Sequence, residues 1–255
     1  MMSEVVIRPY REDDRFEVRQ IAWETAFLGE SGASFFSDEE VLADFLTLYF
    51  TDYEPESCFV AEYLGKVVGY LVGTVDERRL KRVFIYKILA PLMLKMFLKG
   101  GFFKKNNFIF ILRCIVSFLI GEFEIPDFSD EYPAVLHINL RKKFRGAGVG
   151  SRLMSRFFDY LLEKNIKGVH LSTMSKEAGA FFKKNGFEML HVGTRTYLWH
   201  VQKREVFVYW LGKKITLLPL DEAVQPRGNY FSKNARKFME GIKNLFDKRK
   251  KVSYI

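Results

Sequence analysis

The sequence predicts a mixed α/β fold, a sheet with helices packed on it, and three observations carry that prediction. Short β-rich runs recur at residues 58–63, 67–75, 134–140, 168–174, 187–192 and 206–211, each of ordinary strand length. Between them the apolar spacing turns helical, most clearly at Leu153, Met154, Phe157, Phe158, Leu161 and Leu162, one stripe of an amphipathic helix. A basic, glycine-rich turn, residues 141–150, joins the strand at 134–140 directly to that helix. A chain of 255 residues, 48% hydrophobic and 28% charged, can bury a full core in one domain with appendages.

Taken in order, residues 4–8 alternate and read as a first strand stopped by Pro9. Residues 11–27 read as a helix, with Glu12, Asp13 and Asp14 near its start, where the helix dipole favours acids. Glycines at 29 and 32 break the chain. Ser37 is the predicted N-cap of the next helix, with Glu40 at the reciprocal capping-box position and an end near Phe50. Trp23, Phe27, Phe35 and Phe36 lie on or beside the link between these two helices; lining a ligand site is one reading, and core packing is the expectation for most of them. The runs 58–63 and 67–75 form a hairpin about Leu64-Gly65-Lys66. Later, Ser175 caps a short helix at 176–184, with Lys183 and Lys184 in its last turn and Gly186 as a left-handed terminator. The predicted domain spans 1–211. Residues 212–255 form a basic extension whose stripe of Phe231, Ala235, Phe238, Met239, Ile242, Leu245 and Phe246 predicts an amphipathic helix.

About 57 residues separate the hairpin from Ala134. Within them, residues 78–121 hold ten Lys/Arg and no Asp/Glu, while the extension holds eleven Lys/Arg and four Asp/Glu. The chain as a whole is +9, so the remainder is net acidic. The 78–121 insertion reads as two helices split at Gly100-Gly101. A spanning helix needs about 20 mainly apolar residues, and Lys104, Lys105 and Arg113 interrupt the second segment. Two uses compete: packing on the core as a wall of the active site, or resting on an anionic membrane surface with Phe, Leu and Lys/Arg intermixed. Packing is favoured. So many aliphatic residues argue against nucleic acid. Cys58 and Cys114 give no disulfide framework, and the four His are scattered, so no metal is expected. A reducing cytoplasm is the expected location, with peripheral membrane contact as the alternative.

Strand, glycine turn and helix together make a device for holding phosphate, because the first helical N–H groups have no intrahelical partner. A P-loop needs Gly-Lys-Ser/Thr, but Gly150 runs directly into Ser151. A dinucleotide fingerprint needs G-x-G-x-x-G with an acid some 20 residues on, and neither is present. The hexapeptide Arg145-Gly146-Ala147-Gly148-Val149-Gly150 resembles instead the R/Q-x-x-G-x-G/A signature of the GNAT superfamily of N-acetyltransferases. Ala178-Gly179-Ala180-Phe181-Phe182-Lys183-Lys184-Asn185-Gly186-Phe187 resembles that superfamily's second hallmark, A-x-x-F-Y-x-K-x-G-F. The opening from Ile7 to Asp14 is similar to many GNAT N-termini, and Tyr132 to Ile138 resembles the acetyltransferase-like domain of O-GlcNAcase-type proteins.

The resemblance implies a GNAT acyl-CoA N-acyltransferase fold with a helical insertion and a C-terminal helical extension. It implies acetyl-CoA as co-substrate, an amine acceptor, direct attack without an acyl-enzyme, and no metal. Cofactor contacts fall on Ile138, Asn139 and Leu140 of the strand, where a backbone N–H polarises the thioester carbonyl. Further contacts fall on Arg145, Gly146, Ala147, Gly148, Val149, Gly150 and Ser151 of the loop, and on Ser175 and Phe182. His137 is the candidate general base, since an ordinary imidazole titrates near neutrality; a structural role on the opposite strand face is the competing reading. The Tyr that protonates the leaving thiolate in many members is Phe182 here. Water or another Tyr must therefore serve, or the chain is a non-catalytic CoA-binding or membrane-peripheral module.

Overall fold

The computed structural model describes residues 4–215, and the extension's predicted helix lies outside them. Seven strands form one sheet in the order β1-β2-β3-β4-β5-β7-β6. They are β1 (Val6–Pro9), β2 (Phe59–Tyr63), β3 (Lys66–Thr74), β4 (Ala134–Leu140), β5 (Gly168–Thr173), β6 (Glu188–Arg195) and β7 (Val206–Lys214). The helices are α1 (Arg15–Thr25), α2 (Glu39–Tyr53), α3 (Glu77–Val83), α4 (Ala90–Leu98), α5 (Lys105–Leu119), α6 (Val149–Glu163), α7 (Lys176–Lys184) and the single turn α8 (Trp199–Gln202). Every neighbouring strand pair is antiparallel except β4 with β5.

The two faces of the sheet carry different helices. The stripe read from the sequence puts Leu153, Phe157 and Leu161 of α6 against Phe59, Leu71, Ala134 and Leu136. On the other face Val18, Ile21 and Ala22 of α1 pack on Val60, Val67, Tyr70 and Val72. Gly73 lies directly under Phe157, where a Cβ would come within 2.4 Å of the ring, so that glycine lets α6 sit close.

Local signals placed several boundaries well. The β2–β3 hairpin turns on Leu64 and Gly65, both at positive φ (52° and 74°), as a two-residue turn of this twist requires. The Ser175 hydroxyl accepts from the Ala178 N–H at 3.1 Å, and Gly186 takes φ 86°, so α7 begins and ends as read. Two boundaries moved. Asp38, not Ser37, caps α2, its carboxylate accepting from the Val41 N–H at 3.2 Å. The Ser37 N–H is instead taken by Asn107 Oδ1 at 2.6 Å, and Glu40 pairs with Lys95 and Lys99 rather than closing a capping box. Those two lysines hold the Glu40 carboxyl down at about 2. The last strand runs to Lys214 rather than Leu211, because Gly212 continues the ladder opposite His170 with Tyr132 and Leu190 filling the space above it.

The insertion is helical and divides near Gly100-Gly101, as expected, and its first half is continuous. α3 runs through a π-helical segment, Phe84–Leu89, into α4. Pro91 lacks an N–H and its ring clashes with the carbonyl four residues back, and the wider turn absorbs that misfit. Lys95 ties α4 to α2 through Glu40 and Asp44, while Asn107 ties the start of α5 to Ser37 and Gly101. Packing uses only part of the insertion. Tyr86, Leu98, Phe103, Phe118 and Leu119 are each at least 70% exposed, so the expectation of packing holds for one face and not the other. Among the described residues no helix is long and apolar enough to cross a membrane.

Candidate functional site

The site begins where two parallel strands part. β4 and β5 pair only at Ala134↔Val169 and Val135↔His170. Beyond those residues β4 stays on β3 as far as Leu140, and β5 stays on β7 as far as Thr173. A wedge therefore opens between them toward their C-terminal ends. The Arg141 N–H donates to the Val68 carbonyl at 2.9 Å, which sets the phase of the ladder. By antiparallel alternation Asn139 and His137 bond toward β3, whereas Ile138 and Leu140 turn their backbone groups toward the wedge. Of the three strand residues predicted to meet a ligand, Ile138 and Leu140 thus present N–H groups there. Asn139 does not; its backbone belongs to the β3 ladder.

The glycine loop lies at the mouth of the wedge. Gly146 and Gly148 adopt φ 81° and 77°, a region costly for residues with a Cβ. A Cβ at either would meet nothing within 4 Å, so the backbone conformation, not crowding by protein, selects glycine. Ala147 is exposed beside them, and Ser151 is half-buried on the first turn of α6. Helix α6 starts at Val149 after Gly148 with no side-chain cap, leaving its first N–H groups and dipole for an anion. Gly150 differs from the other two. Its Cβ would lie 2.9 Å from the Phe181 ring, so the absence of a side chain there serves the close approach of α7 to α6, while its backbone N–H stays in the first turn of α6.

The cations of the loop are partly committed. Arg145 donates from Nε to the Leu140 carbonyl at 3.0 Å and from Nη2 to the Gly29 carbonyl at 2.8 Å, and Lys142 pairs with Glu30 at 3.0 Å. Together they clamp the loop to the link between α1 and α2. Arg141 leaves the loop altogether: it donates to Gln20 at 2.8 Å and lies 3.2 Å from Glu24, both on α1. Ser175 is occupied as the cap of α7, and its hydroxyl also donates to Glu177 at 2.8 Å. Phe182 is a core residue, packed edge-on against Phe187 at 5.6 Å and Phe181 at 5.3 Å. It lines no open surface and has no hydroxyl to donate.

His137 faces the α1 side of the sheet, the opposite face to Ala134 and Leu136, as strand alternation predicts. Its ring stands 6.2 Å from the Tyr70 ring. The Asn139 amide donates both to His137 Nε2, at 3.0 Å, and to Tyr70 Oη, at 2.9 Å, so the imidazole proton sits on Nδ1. Burial pushes the imidazole down to about 4. Desolvation of the ring thus favours the neutral imidazole and weakens it as a proton acceptor, which supports the structural reading of His137 over the general-base one. Burial pushes both Cys58 and Cys114 up to about 12, so neither is a thiolate nucleophile at neutral pH. Among the described residues no group of His, Cys, Asp and Glu could hold a metal.

The sequence pointed to part of a second half of the site, through the aromatics of the α1–α2 link and the insertion read as a wall, but not to its full lining. A cavity of about 720 Å³ lies between the α1–α2 link, α2, the insertion, and the segments after β5 and β6. Phe27, Phe35 and Phe36 line it, whereas Trp23 packs behind them. Met174, Tyr197 and Leu198 join them from the far end of the chain. No local sequence signal marks those three, because the cavity exists only once five segments meet.

Residues 105–189 match the family model described as Acetyltransferase (GNAT) domain. Among solved structures, the chain is similar to a protein named SsHAT, with 26% identity and a TM-score of 0.60 over 84% of this chain and 100% of that one. It is similar in fold to a Drosophila melanogaster polyamine N-acetyltransferase, with 14% identity and a TM-score of 0.55 over 83% of this chain and 100% of the other.

Proposed function

The chain carries a GNAT acetyltransferase domain, and on that premise we propose an acetyl-CoA-dependent N-acetyltransferase that acts on a primary amine by direct attack, in a reducing cytoplasm. One observation carries the reading most: the wedge between β4 and β5 opens beside the uncapped start of α6. It offers a slot for an extended arm and, at its mouth, a place for a pyrophosphate.

Acetyl-CoA, when bound, supplies the activated thioester. The N–H groups of the first turn of α6, with the open backbone of Gly146, Ala147 and Gly148, hold the pyrophosphate. The charges of Lys143 and Arg145 add to that hold. The Ile138 N–H, aimed into the wedge, polarises the thioester carbonyl. His137 is a positioning residue, holding the Asn139 amide between itself and Tyr70. With its pKa near 4 it is too weak a base to take a proton from an ammonium ion of ordinary lysine-like pKa, so the amine arrives neutral. Phe182 offers no proton, so protonation of the leaving thiolate falls to water or to another Tyr.

Phe182 also supports an alternative, a non-catalytic CoA-binding module on the same fold. A thioester-consumption assay over an amine panel, run beside calorimetry with acetyl-CoA, separates the two. The enzyme reading expects binding and turnover. Binding without turnover on any amine establishes the module.

The exposed apolar face of the insertion supports a further element of this reading, peripheral contact with an anionic membrane. Exposed Phe97, Phe103, Phe108 and Phe118 lie in a stretch with ten basic and no acidic residues, the composition of an interfacial helix. Co-sedimentation with anionic vesicles that weakens with salt and is lost on removing residues 231–255 is the expected result. No sedimentation even at low salt excludes it.

A further inference from the structure

Resting on the acetyltransferase reading, we propose that the cavity under the insertion receives a long apolar chain carried by one of the two substrates. Its volume, about 720 Å³, lies within the range of small-molecule sites. Its lining contains no Asp, Glu, Lys, Arg, His, Asn, Gln, Ser or Thr. Only the Cys114 thiol and the Tyr197 hydroxyl interrupt hydrocarbon and aromatic surface, and burial keeps both in their neutral forms. A second ammonium group, or the polar backbone of a peptide, would lose its water here and find no partner. A hydrocarbon or aryl chain loses nothing and gains contacts along the apolar walls.

The cavity is placed to serve the transfer. Met174, which lines it, directly follows Thr173, the last residue of β5 at the open end of the wedge. Phe27 and Leu28, which also line it, precede Gly29, whose carbonyl the loop residue Arg145 holds. One end of the cavity therefore adjoins the point where the two strands part and the glycine loop begins. The other end reaches the surface at Ile115 and Phe118, which are 50% and 70% exposed, so a chain can enter from outside. The helices that close it, α4 and α5, belong to the insertion, which gives that insertion a function beyond support.

A chain in this cavity has two sources, the acceptor amine and the acyl group of the donor, and one experiment with two arms separates them. The first arm measures kcat/KM of the full chain for primary n-alkylamines of two to ten carbons with acetyl-CoA. The second uses ethylamine with acyl-CoA donors of the same lengths. Each methylene buried is expected to raise kcat/KM about fourfold, until the cavity is full. A rise in either arm supports the proposal, and the rising arm names the carrier. Cys114→Phe, or Ile111→Phe should the first not fold, places a ring in the cavity and should move the plateau to shorter chains. Measurable turnover that is flat with chain length in both arms overturns the proposal while leaving acetyl transfer intact. Should no pair turn over, the acetyltransferase reading fails. The cavity is then judged by calorimetry with decylamine and decanoate below their micellar concentrations. Binding that Cys114→Phe abolishes supports it; no binding of either overturns it.

Discussion

Protonating His137 should cost this protein a measurable part of its stability. In an unfolded chain the imidazole titrates near 6.5, whereas burial in the fold pushes it down to about 4. Between those values the unfolded chain holds a proton that the folded chain refuses. Stability therefore rises with pH across this window. The contribution is fully present above pH 6.5 and is lost as pH falls toward 4. At about 1.4 kcal/mol for each pH unit between the two values, the loss reaches about 3 kcal/mol, a large share of the 5–15 kcal/mol that holds an ordinary domain together. Many carboxylates titrate in the same range, so the effect must be isolated by difference. His137→Gln removes the titration and keeps an oxygen that can accept from the Asn139 amide. Urea unfolding followed by tryptophan fluorescence at pH 7, 6, 5 and 4.5 gives both stabilities. Wild type minus variant should be constant above pH 6.5 and fall by about 1.4 kcal/mol per pH unit below it. A difference that does not change with pH refutes the burial argument. It would also reopen His137 as a group titrating near neutrality, and with it the general-base role.

The three glycines of the loop should separate by experiment. Gly148→Val forces a β-branched residue into a left-handed backbone at a cost of about 1–2 kcal/mol, and is expected to weaken acetyl-CoA binding at least tenfold by calorimetry; an unchanged affinity sinks the cofactor assignment. Gly150→Val should instead drive a side chain into Phe181 and lower the melting temperature by several degrees, as overpacking of about 1–3 kcal/mol does; a wild-type melting temperature would show that α6 and α7 do not need that approach. Arg145→Ala removes the bonds to Leu140 and Gly29 and should raise the KM for both substrates a few-fold, because it loosens the loop and the α1–α2 link together; a KM change confined to acetyl-CoA would assign Arg145 to phosphate alone.

The sequence disclosed what is written in local chemistry. The start and end of α7 were legible because Ser175 and Gly186 act within one turn of their own positions. The α6 stripe was legible because burial imposes its period directly. What was not legible depends on residues far apart in the chain. The motif shows three alternating glycines, yet two answer to backbone conformation and the third to Phe181, some thirty residues on. Ser37 and Asp38 are equally good caps by type, and only the fold shows that Asp38 accepts from the Val41 N–H while Asn107 holds the Ser37 N–H. His137 carries no mark of its burial, because the Asn139 amide and the Tyr70 ring reach it only after β3 and β4 have paired.

The insertion presents two apolar faces with different consequences. The inner face closes a cavity whose lining carries no charge. The outer face leaves large side chains such as Tyr86, Phe103 and Phe118 in contact with water. Exposed apolar surface of that extent is disfavoured unless something covers it. Phe118 belongs to both faces, lining the cavity while remaining 70% exposed. Whatever covers the outer face therefore stands at the entrance of the cavity. A membrane there would bring apolar chains to the entrance in their own solvent, sparing them the passage through water. In the alkylamine series, anionic vesicles should then raise the apparent kcat/KM of the long amines and leave that of ethylamine unchanged. An equal effect on all chain lengths would separate the two faces and leave the cavity to be filled from solution.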